Sequence, residues 1–207
     1  MIKTNKKYEL LDNDVIWYKG VKLFRIKALR DFSNVKSGEL GGYLEKEENL
    51  SSFGDAWVSD DARVYGDAQV YGNARVYGDA QVYGNAQVYG NAQVYGNAQV
   101  YGNAQVYGDA WVSGDARVYG YAWVYGNAWV YGDAVVSSSK DYIVFKNTWS
   151  SLRWFTYTTS NKKWKVGCFY GTGEELIQEA YQDSKLSGDC YKMYVELVQK
   201  LEEANND

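Results

Sequence analysis

The sequence predicts a mainly β protein in which short parallel strands stack as a three-sided coil. A small β cap precedes the coil and an α+β domain follows it. Three observations support this: a six-residue repeat over residues 56–136, strand-like alternation before it, and a change of composition after residue 139. The 207 residues include 21 Gly and 21 Tyr but no Pro or His. The turns must therefore be made by Gly with Asp or Asn.

The repeat A-x-V-[YS]-G-[DN] occurs fourteen times without an insertion. Ala and Val are two residues apart and so share one face of a strand, and Gly-Asn or Gly-Asp makes the corner after it. A helix would place positions six apart on different faces and would be penalised by the regular glycines. Three units close an 18-residue coil, and coils stack at about 4.8 Å with Ala and Val inside.

Residues 18 apart then share one of three walls, with the x residue and the Tyr facing outward. The predicted x positions are Trp57, Arg75, Gln93, Trp111 and Trp129 on the first wall; Arg63, Gln81, Gln99, Arg117 and Val135 on the second; and Gln69, Gln87, Gln105 and Trp123 on the third. Upstream, Leu40 falls at a Val position of the repeat, while Leu44 and Leu50 fall at Ala positions. This predicts a diverged first coil that begins near Val35.

The predicted domains are a β cap at residues 1–34, the coil at residues 35–137 and an α+β domain at residues 140–207. In the last, three strands are expected near residues 142–145, 154–157 and 164–169. Thr172 and Glu175 form a capping box that opens a helix ending at Asp183. A second helix is expected from Ser187, and its apolar stripe comprises Tyr191, Tyr194, Val195, Val198 and Leu201.

The repeat resembles the hexapeptide-repeat, left-handed parallel β-helix family, because residues 64–69 (V-Y-G-D-A-Q) match its aliphatic first and small fifth positions. Left-handedness is implied by this resemblance alone, since crossovers between parallel strands are normally right-handed. The V-Y-G-N-A units, together with G-E-L-G-G-Y-L-E and G-C-F-Y-G-T-G-E-E-L, also resemble uncharacterised phage and prophage proteins. That second resemblance spans nearly the whole chain.

The best-known members of the hexapeptide-repeat family are acyltransferases, and their chemistry needs a base that is usually histidine. This chain has no histidine, and no loop interrupts its repeat. We therefore expect no enzyme activity, no catalytic residue, no cofactor and no metal, and an acyltransferase-like enzyme is the alternative. Cys168, between Gly167 and Phe169, is expected to be a buried small hydrophobe rather than a nucleophile.

A candidate ligand site is predicted where the repeat loses its uniformity and aromatic residues coincide with basic ones. Indole and phenol rings would stack on a base or ring, and basic groups would bind phosphate. The alternative is that the tryptophans dock the C-terminal domain or a neighbouring subunit. The candidate residues are Trp111, Arg117, Tyr121, Trp123, Trp129, Arg153, Lys163 and Lys165.

The sequence thus favours a non-catalytic phage-type binding protein, a rigid oligomeric platform for a host protein or a nucleotide-like ligand. Interference with host defence is one use of such a protein. The family resemblance implies a homotrimer. No apolar run approaches the length of a membrane span, and two cysteines are too few for a secreted disulfide scaffold, so a cytoplasmic protein is expected.

Overall fold

The computed structural model describes residues 6–206. Residues 1–5 of the predicted cap and residue 207 of the predicted C-terminal domain lie outside the described residues. The chain divides into two compact units, the first ending at Asp141 and the second starting at Tyr142. Neither of the two helices described has the length and apolar character needed to cross a bilayer.

The cap begins with an antiparallel hairpin, β1 (Tyr8–Tyr18) and β2 (Val21–Ala28), which pairs with β3 (Leu40–Leu44). β1 is a single strand with an irregularity between Leu11 and Val15. β3 then pairs in parallel with residues 63 and 64, one coil further along the chain.

Fourteen two-residue strands form the β-solenoid, as the period of six predicts. The first wall holds β4 (Trp57–Val58), β7 (Arg75–Val76), β10 (Gln93–Val94), β13 (Trp111–Val112) and β16 (Trp129–Val130). The second holds β5 (Arg63–Val64), β8 (Gln81–Val82), β11 (Gln99–Val100), β14 (Arg117–Val118) and β17 (Val135–Val136). The third holds β6 (Gln69–Val70), β9 (Gln87–Val88), β12 (Gln105–Val106) and β15 (Trp123–Val124).

The predicted coil of 18 residues is confirmed, because each strand pairs in parallel with the strand 18 residues further on, as Gln93 does with Trp111. Every repeat Ala and Val is buried, at 0 to 1% exposure. The corners turn at glycines with positive φ, such as Gly96 at 68°. The handedness of the coil remains a prediction from the family resemblance.

The predicted alignment of the first coil is wrong. Leu44 pairs with Val64, and Leu50 bridges to Val70, so both leucines take Val positions and the first coil is two residues longer than the others. Leu40 pairs with Lys27 in the cap and is exposed. Gly42 takes the place beside Ala62, where a Cβ would lie 2.6 Å from the carbonyl oxygen of Ala62.

The carbonyls of the repeat Ala residues accept backbone N–H groups of the preceding coil, as that of Ala74 does from Trp57 at 3.0 Å. At the start of the solenoid, side chains take over this role for two of these carbonyls. The buried Lys7 ammonium donates to the carbonyl of Ala56 at 2.8 Å, and the buried Asn49 amide donates to that of Ala68 at 2.9 Å.

The second unit is a four-stranded antiparallel sheet followed by two helices. The strands are β18 (Tyr142–Lys146), β19 (Trp154–Thr158), β20 (Lys163–Val166) and β21 (Phe169–Gly171), and the helices are α1 (Gly173–Asp183) and α2 (Lys185–Asn206). The core between sheet and helices contains Phe155, Tyr157, Trp164, Leu176, Ala180, Tyr191, Val195 and Val198.

Several local predictions for the second unit need correction. The third predicted strand is two strands, because Gly167 turns the chain at a φ of 55°. Cys168, predicted to be buried, is exposed in this turn. The capping box of Thr172 and Glu175 is confirmed. α2 begins at Lys185 instead of Ser187, and Leu201 is exposed rather than part of the buried stripe.

Candidate functional site

The tyrosines of the solenoid form stacks that run along its walls. Ring centroids of neighbours are 4.8 to 5.3 Å apart and their planes differ by 2 to 11°. Four hydroxyls also donate to the Gln side chain sixteen residues further on, as Tyr89 does to Gln105 at 3.1 Å. Because each ring covers its neighbour's face, the stacked tyrosines present ring edges to solvent and little surface on which a ligand could stack.

The corners carry a second set of contacts between coils. The side-chain amide of Asn91 accepts from that of Asn73 at 3.1 Å and donates to the carboxylate of Asp109 at 3.0 Å. Asn97 donates to Asp115 in the same way at 2.9 Å. The corner Asn and Asp side chains thus bind one another along the solenoid.

Two of the predicted site residues, Trp111 and Trp129, lie next to each other on the first wall. Their rings meet edge to face with centroids 4.9 Å apart, and Tyr95 contacts Trp111 from the preceding coil at 6.3 Å. The indole N–H of Trp129 donates to Ser113 Oγ at 3.3 Å. Both indoles are half-buried, so this pair continues the aromatic packing of the wall.

Three other predicted residues, Arg117, Tyr121 and Trp123, lie around one corner of the last coils, and we call them the corner group. Arg117 is on the second wall, Trp123 is on the third, and Tyr121 occupies the corner between them, where earlier coils have Asn85 and Asn103. Tyr121 is 79% exposed and Trp123 is 49% exposed. The structure therefore separates the predicted aromatic cluster into the wall pair and the corner group.

The other three predicted residues belong to the second unit, and they differ in accessibility. Arg153 is exposed and lines a cavity of about 250 Å³ with Cys168 and Asp183. Lys163 is half-buried, with its ammonium 5.5 Å from the ring centroid of Tyr170. The prediction that Lys165 offers an exposed positive charge is wrong: it is 7% exposed, and burial lowers its pKa.

Sequence reasoning missed a second cavity of this unit, of about 330 Å³, between strands β19 and β20 and the two helices. It is lined by Tyr157, Lys162, Trp164, Thr172, Gly173, Glu174, Val195, Val198, Gln199 and Glu202. The hydroxyl of Tyr157 donates to Glu202 Oε1 at 2.5 Å. The pKa of Tyr157 is raised, mainly by its burial and in addition by the neighbouring Glu202 carboxylate. These two residues are 45 positions apart, so no local pattern could reveal their contact.

A protein-family model described as the YdcK beta solenoid repeat matches eight overlapping segments of this chain. They are residues 68–84, 80–96, 86–102, 92–108, 98–114, 104–120, 110–126 and 122–138. Successive segments start six or twelve residues apart, which follows the period of the repeat. They span about a third of the chain. No curated protein matches the sequence. The matched segments and the stacked coils show that the chain is a β-helix repeat protein.

Proposed function

We propose that this protein is a non-catalytic binding protein, in which the solenoid is a rigid platform and its last coils engage a partner. The single observation that carries the proposal is the corner group. Over most of its length the solenoid surface is a uniform array of stacked rings and amides. At the corner group an exposed ring replaces a corner Asn, with an indole on one side and a guanidinium on the other.

The chemistry of the corner group suits a nucleotide-like ligand or a phosphate-bearing macromolecule. Arg117 is exposed, and a guanidinium binds phosphate oxygens through two parallel N–H groups. Tyr121 and Trp123 offer rings on which a base can stack, at about 1 to 3 kcal/mol per base. The rigid coils hold these groups in place before binding, which limits the entropy lost on association.

The resemblance to phage and prophage proteins supports a place for this protein in the cytoplasm of a host cell. In that setting the partner is a host macromolecule or a nucleotide, and the proposed role is interference with host defence. The proposed role in host defence is based on the resemblance, whereas the proposal that the corner group binds a ligand is based on its geometry.

The test uses substitutions that restore the repeat: Arg117→Gln, Tyr121→Asn and Trp123→Gln. Each new residue already occupies the equivalent place one coil earlier, at Gln99, Asn103 and Gln105, so the variants should fold as the parent does. Calorimetric titration with nucleotides and oligonucleotides should show binding to the parent that weakens about tenfold or more in each variant.

The matched control is Trp111→Gln, which restores the repeat on the first wall and should leave binding unchanged. A parent protein that binds none of these compounds, or corner variants that bind as well as the parent, would overturn the proposal. Consumption of acetyl-coenzyme A with an amine acceptor would replace it by the acyltransferase alternative.

The platform is further proposed to be a homotrimer whose subunits lie side by side along their walls. The support is the family resemblance and the rows of partly exposed tyrosine rings on all three walls. Light scattering should give three times the chain mass of 23.5 kDa at micromolar concentration. A measured mass equal to that of one chain would refute the trimer.

A further inference from the structure

Helix α2 carries two rows of apolar side chains, and only one of them is buried. Tyr191, Val195 and Val198 pack in the core of the C-terminal unit. The leucines and the methionine of the second row are 41 to 60% exposed. Its members are spaced by three or four residues, which places them along one face of the helix. We call this set the exposed row, and it comprises Leu186, Cys190, Met193, Leu197 and Leu201.

A groove borders the exposed row on one side and gives it an apolar edge. The groove has a volume of about 340 Å³ and is lined by Thr148, Trp149, Cys190, Met193, Tyr194 and Leu197. The rings of Trp149 and Tyr194 are stacked there, with centroids 5.7 Å apart. The row and the groove together form a continuous exposed apolar surface, and such surfaces commonly mark an interface.

The opposite edge of the exposed row is charged, and its charges alternate in sign. Each residue of the row directly follows a charged residue, which lies about 100° away around the helix. Within the helix, the Lys185 ammonium is 2.6 Å from the Asp189 carboxylate, and the Lys192 ammonium is 3.9 Å from the Glu196 carboxylate. We call this set the charged row, and it comprises Lys185, Asp189, Lys192, Glu196, Lys200 and Glu203.

The alternation makes the charged row complementary to itself when two copies of α2 lie antiparallel. Reversing the order of the signs turns every positive position into a negative one, so opposite charges meet along the whole pair. Lys192 then faces Glu196 of the partner subunit, and Lys185 faces Glu203 of the partner subunit. The centre of the charged row lies between Lys192 and Glu196, and Met193 is the centre of the exposed row. Both rows therefore match in one register.

A parallel pair of helices would not fit this surface. The two-fold axis of a parallel pair runs along the helices and brings the charged edge of one copy against the apolar edge of the other. The axis of an antiparallel pair is perpendicular to the helices and brings equivalent edges together. Only the antiparallel arrangement pairs the charges and keeps the Trp149 edge next to apolar surface.

We propose that α2 is a dimerisation helix, on which a second copy of this chain docks with its own α2 antiparallel. The exposed rows pack against each other with Met193 near the two-fold axis, and the charged rows face one another at one edge. The exposed row is about 22 Å long, so the interface is small and pairing is expected at roughly 100 μM. This surface lies outside the solenoid, so pairing would double the mass of a single chain or of the proposed trimer.

The first test measures the mass of the whole protein by sedimentation equilibrium from about 5 to about 500 μM. The mass should double over this range. Leu197→Glu places a charge between the helices and should raise the dissociation constant at least about tenfold. The control is Leu152→Glu, at a side chain that is 63% exposed and lies outside α2, and it should leave pairing unchanged.

Two outcomes of this test would overturn the proposal: a mass that does not rise with concentration, or equal effects of the two substitutions. A constant mass of three chains would leave the trimer intact and remove the α2 pair. A mass that rises from one chain to two would remove the trimer and leave the α2 pair.

The second test exchanges charges between the two copies. Lys192→Glu places a carboxylate opposite Glu196 of the partner subunit, and Glu196→Lys places an ammonium opposite Lys192 of the partner subunit. Each variant alone should pair roughly tenfold more weakly, because the two-fold axis makes both symmetric contacts repulsive. An equimolar mixture should regain the pairing of the parent, because opposite charges meet again in the mixed dimer.

The mixture also serves as its own control for effects within one helix. Both variants lose the contact between positions 192 and 196 of the same chain, and mixing cannot restore it. Recovery in the mixture therefore reports a contact between chains. Absence of recovery would contradict the antiparallel pairing of α2.

Discussion

The solenoid and the C-terminal unit both have buried cores, and these are encoded in different ways. In the solenoid the core is one Ala and one Val per six residues, each at 0 to 1% exposure, and every partner lies 18 residues away. In the C-terminal unit, Phe155, Trp164 and Val195 come from distant segments and meet only once the helices cover the sheet. A periodic core is therefore specified locally, whereas the second core depends on tertiary packing.

The largest expected effect comes from removing a ring from the second core. Phe155→Ala should lower the free energy of unfolding of the C-terminal unit by about 3 to 5 kcal/mol, because it leaves a cavity among five other aromatic rings. The matched change Phe53→Ala, at a side chain that is 84% exposed, should cost less than about 0.5 kcal/mol. Urea unfolding followed by circular dichroism measures both, and similar losses would contradict the assigned core.

The same contrast explains what the sequence could predict. The period predicted which residues face inward and which lie on each wall, and only the first coil was misaligned, because two extra residues lie between Leu50 and Val58. In the C-terminal unit the capping box at Thr172 was predicted, since its signal spans only four residues. The burial of Lys165 and the exposure of Cys168 could not be found, because they depend on the sheet edge, the turn at Gly167 and the packing around them.

The two candidate sites also differ in whether the sequence could reveal them. The corner group was visible in the sequence, because Tyr121 breaks a rule that every earlier corner obeys. Its separation from Trp111 and Trp129 follows from the 18-residue coil, which places them on different walls. The cavity of Trp164 and Glu202 was not visible, because its polar groups come from a strand, a helix start and a helix end.

A matched pair of glycines can measure how much the close stacking of coils adds to the cost of a substitution in the solenoid. Gly96 and Gly126 have nearly equal φ values, 68° and 66°, but a Cβ on Gly96 would lie 3.1 Å from the nitrogen of Gly114, whereas one on Gly126 meets nothing within 4 Å. Gly126→Ala should cost about 1 kcal/mol for the left-handed backbone alone. Gly96→Ala should cost about 2 to 3 kcal/mol, because the next coil must also move.

Chemical unfolding of the two glycine variants measures this difference directly. Both substitutions add a methyl group to a glycine with nearly the same backbone conformation. The cost of placing Ala in that conformation therefore cancels in the comparison. Equal losses would mean that the coils yield at no cost, contrary to the tight stacking seen at the corners.

The pH dependence of stability should report the capping lysine. Burial, with the nearby Arg30, lowers the pKa of Lys7 from 10.5 to about 8. Between these values the unfolded chain binds a proton that the folded chain does not, so stability rises as the pH increases from about 8 to 9.5, by roughly 1 to 3 kcal/mol. Above pH 10 the buried tyrosines reverse the trend, because burial raises the pKa of Tyr8 and of Tyr65.

Lys7→Met tests whether Lys7 causes this pH dependence. The quantity to compare is the change of stability with pH rather than the stability at one pH. The variant loses the hydrogen bond to Ala56 and is less stable, but its stability should rise less between pH 8 and 9.5. A smaller rise remains, because burial also lowers the pKa of Lys165. A slope identical to that of the parent would show that Lys7 titrates normally and does not cap the first coil as a buried cation.

The smallest expected effect concerns the hydroxyls on the tyrosine stacks. Tyr89→Phe keeps the ring between Tyr71 and Tyr107 but removes the hydrogen bond to Gln105, at a cost of about 0.5 kcal/mol, because both groups can bind water instead. Tyr95→Phe is the matched control. Position 111, sixteen residues further on, is Trp rather than Gln, and a tryptophan side chain offers no acceptor, so stability should not change. If both variants lose the same stability, the hydroxyl acts through hydration and not through the amide, and the stacked rings alone account for the contribution of the tyrosines to the contact between coils.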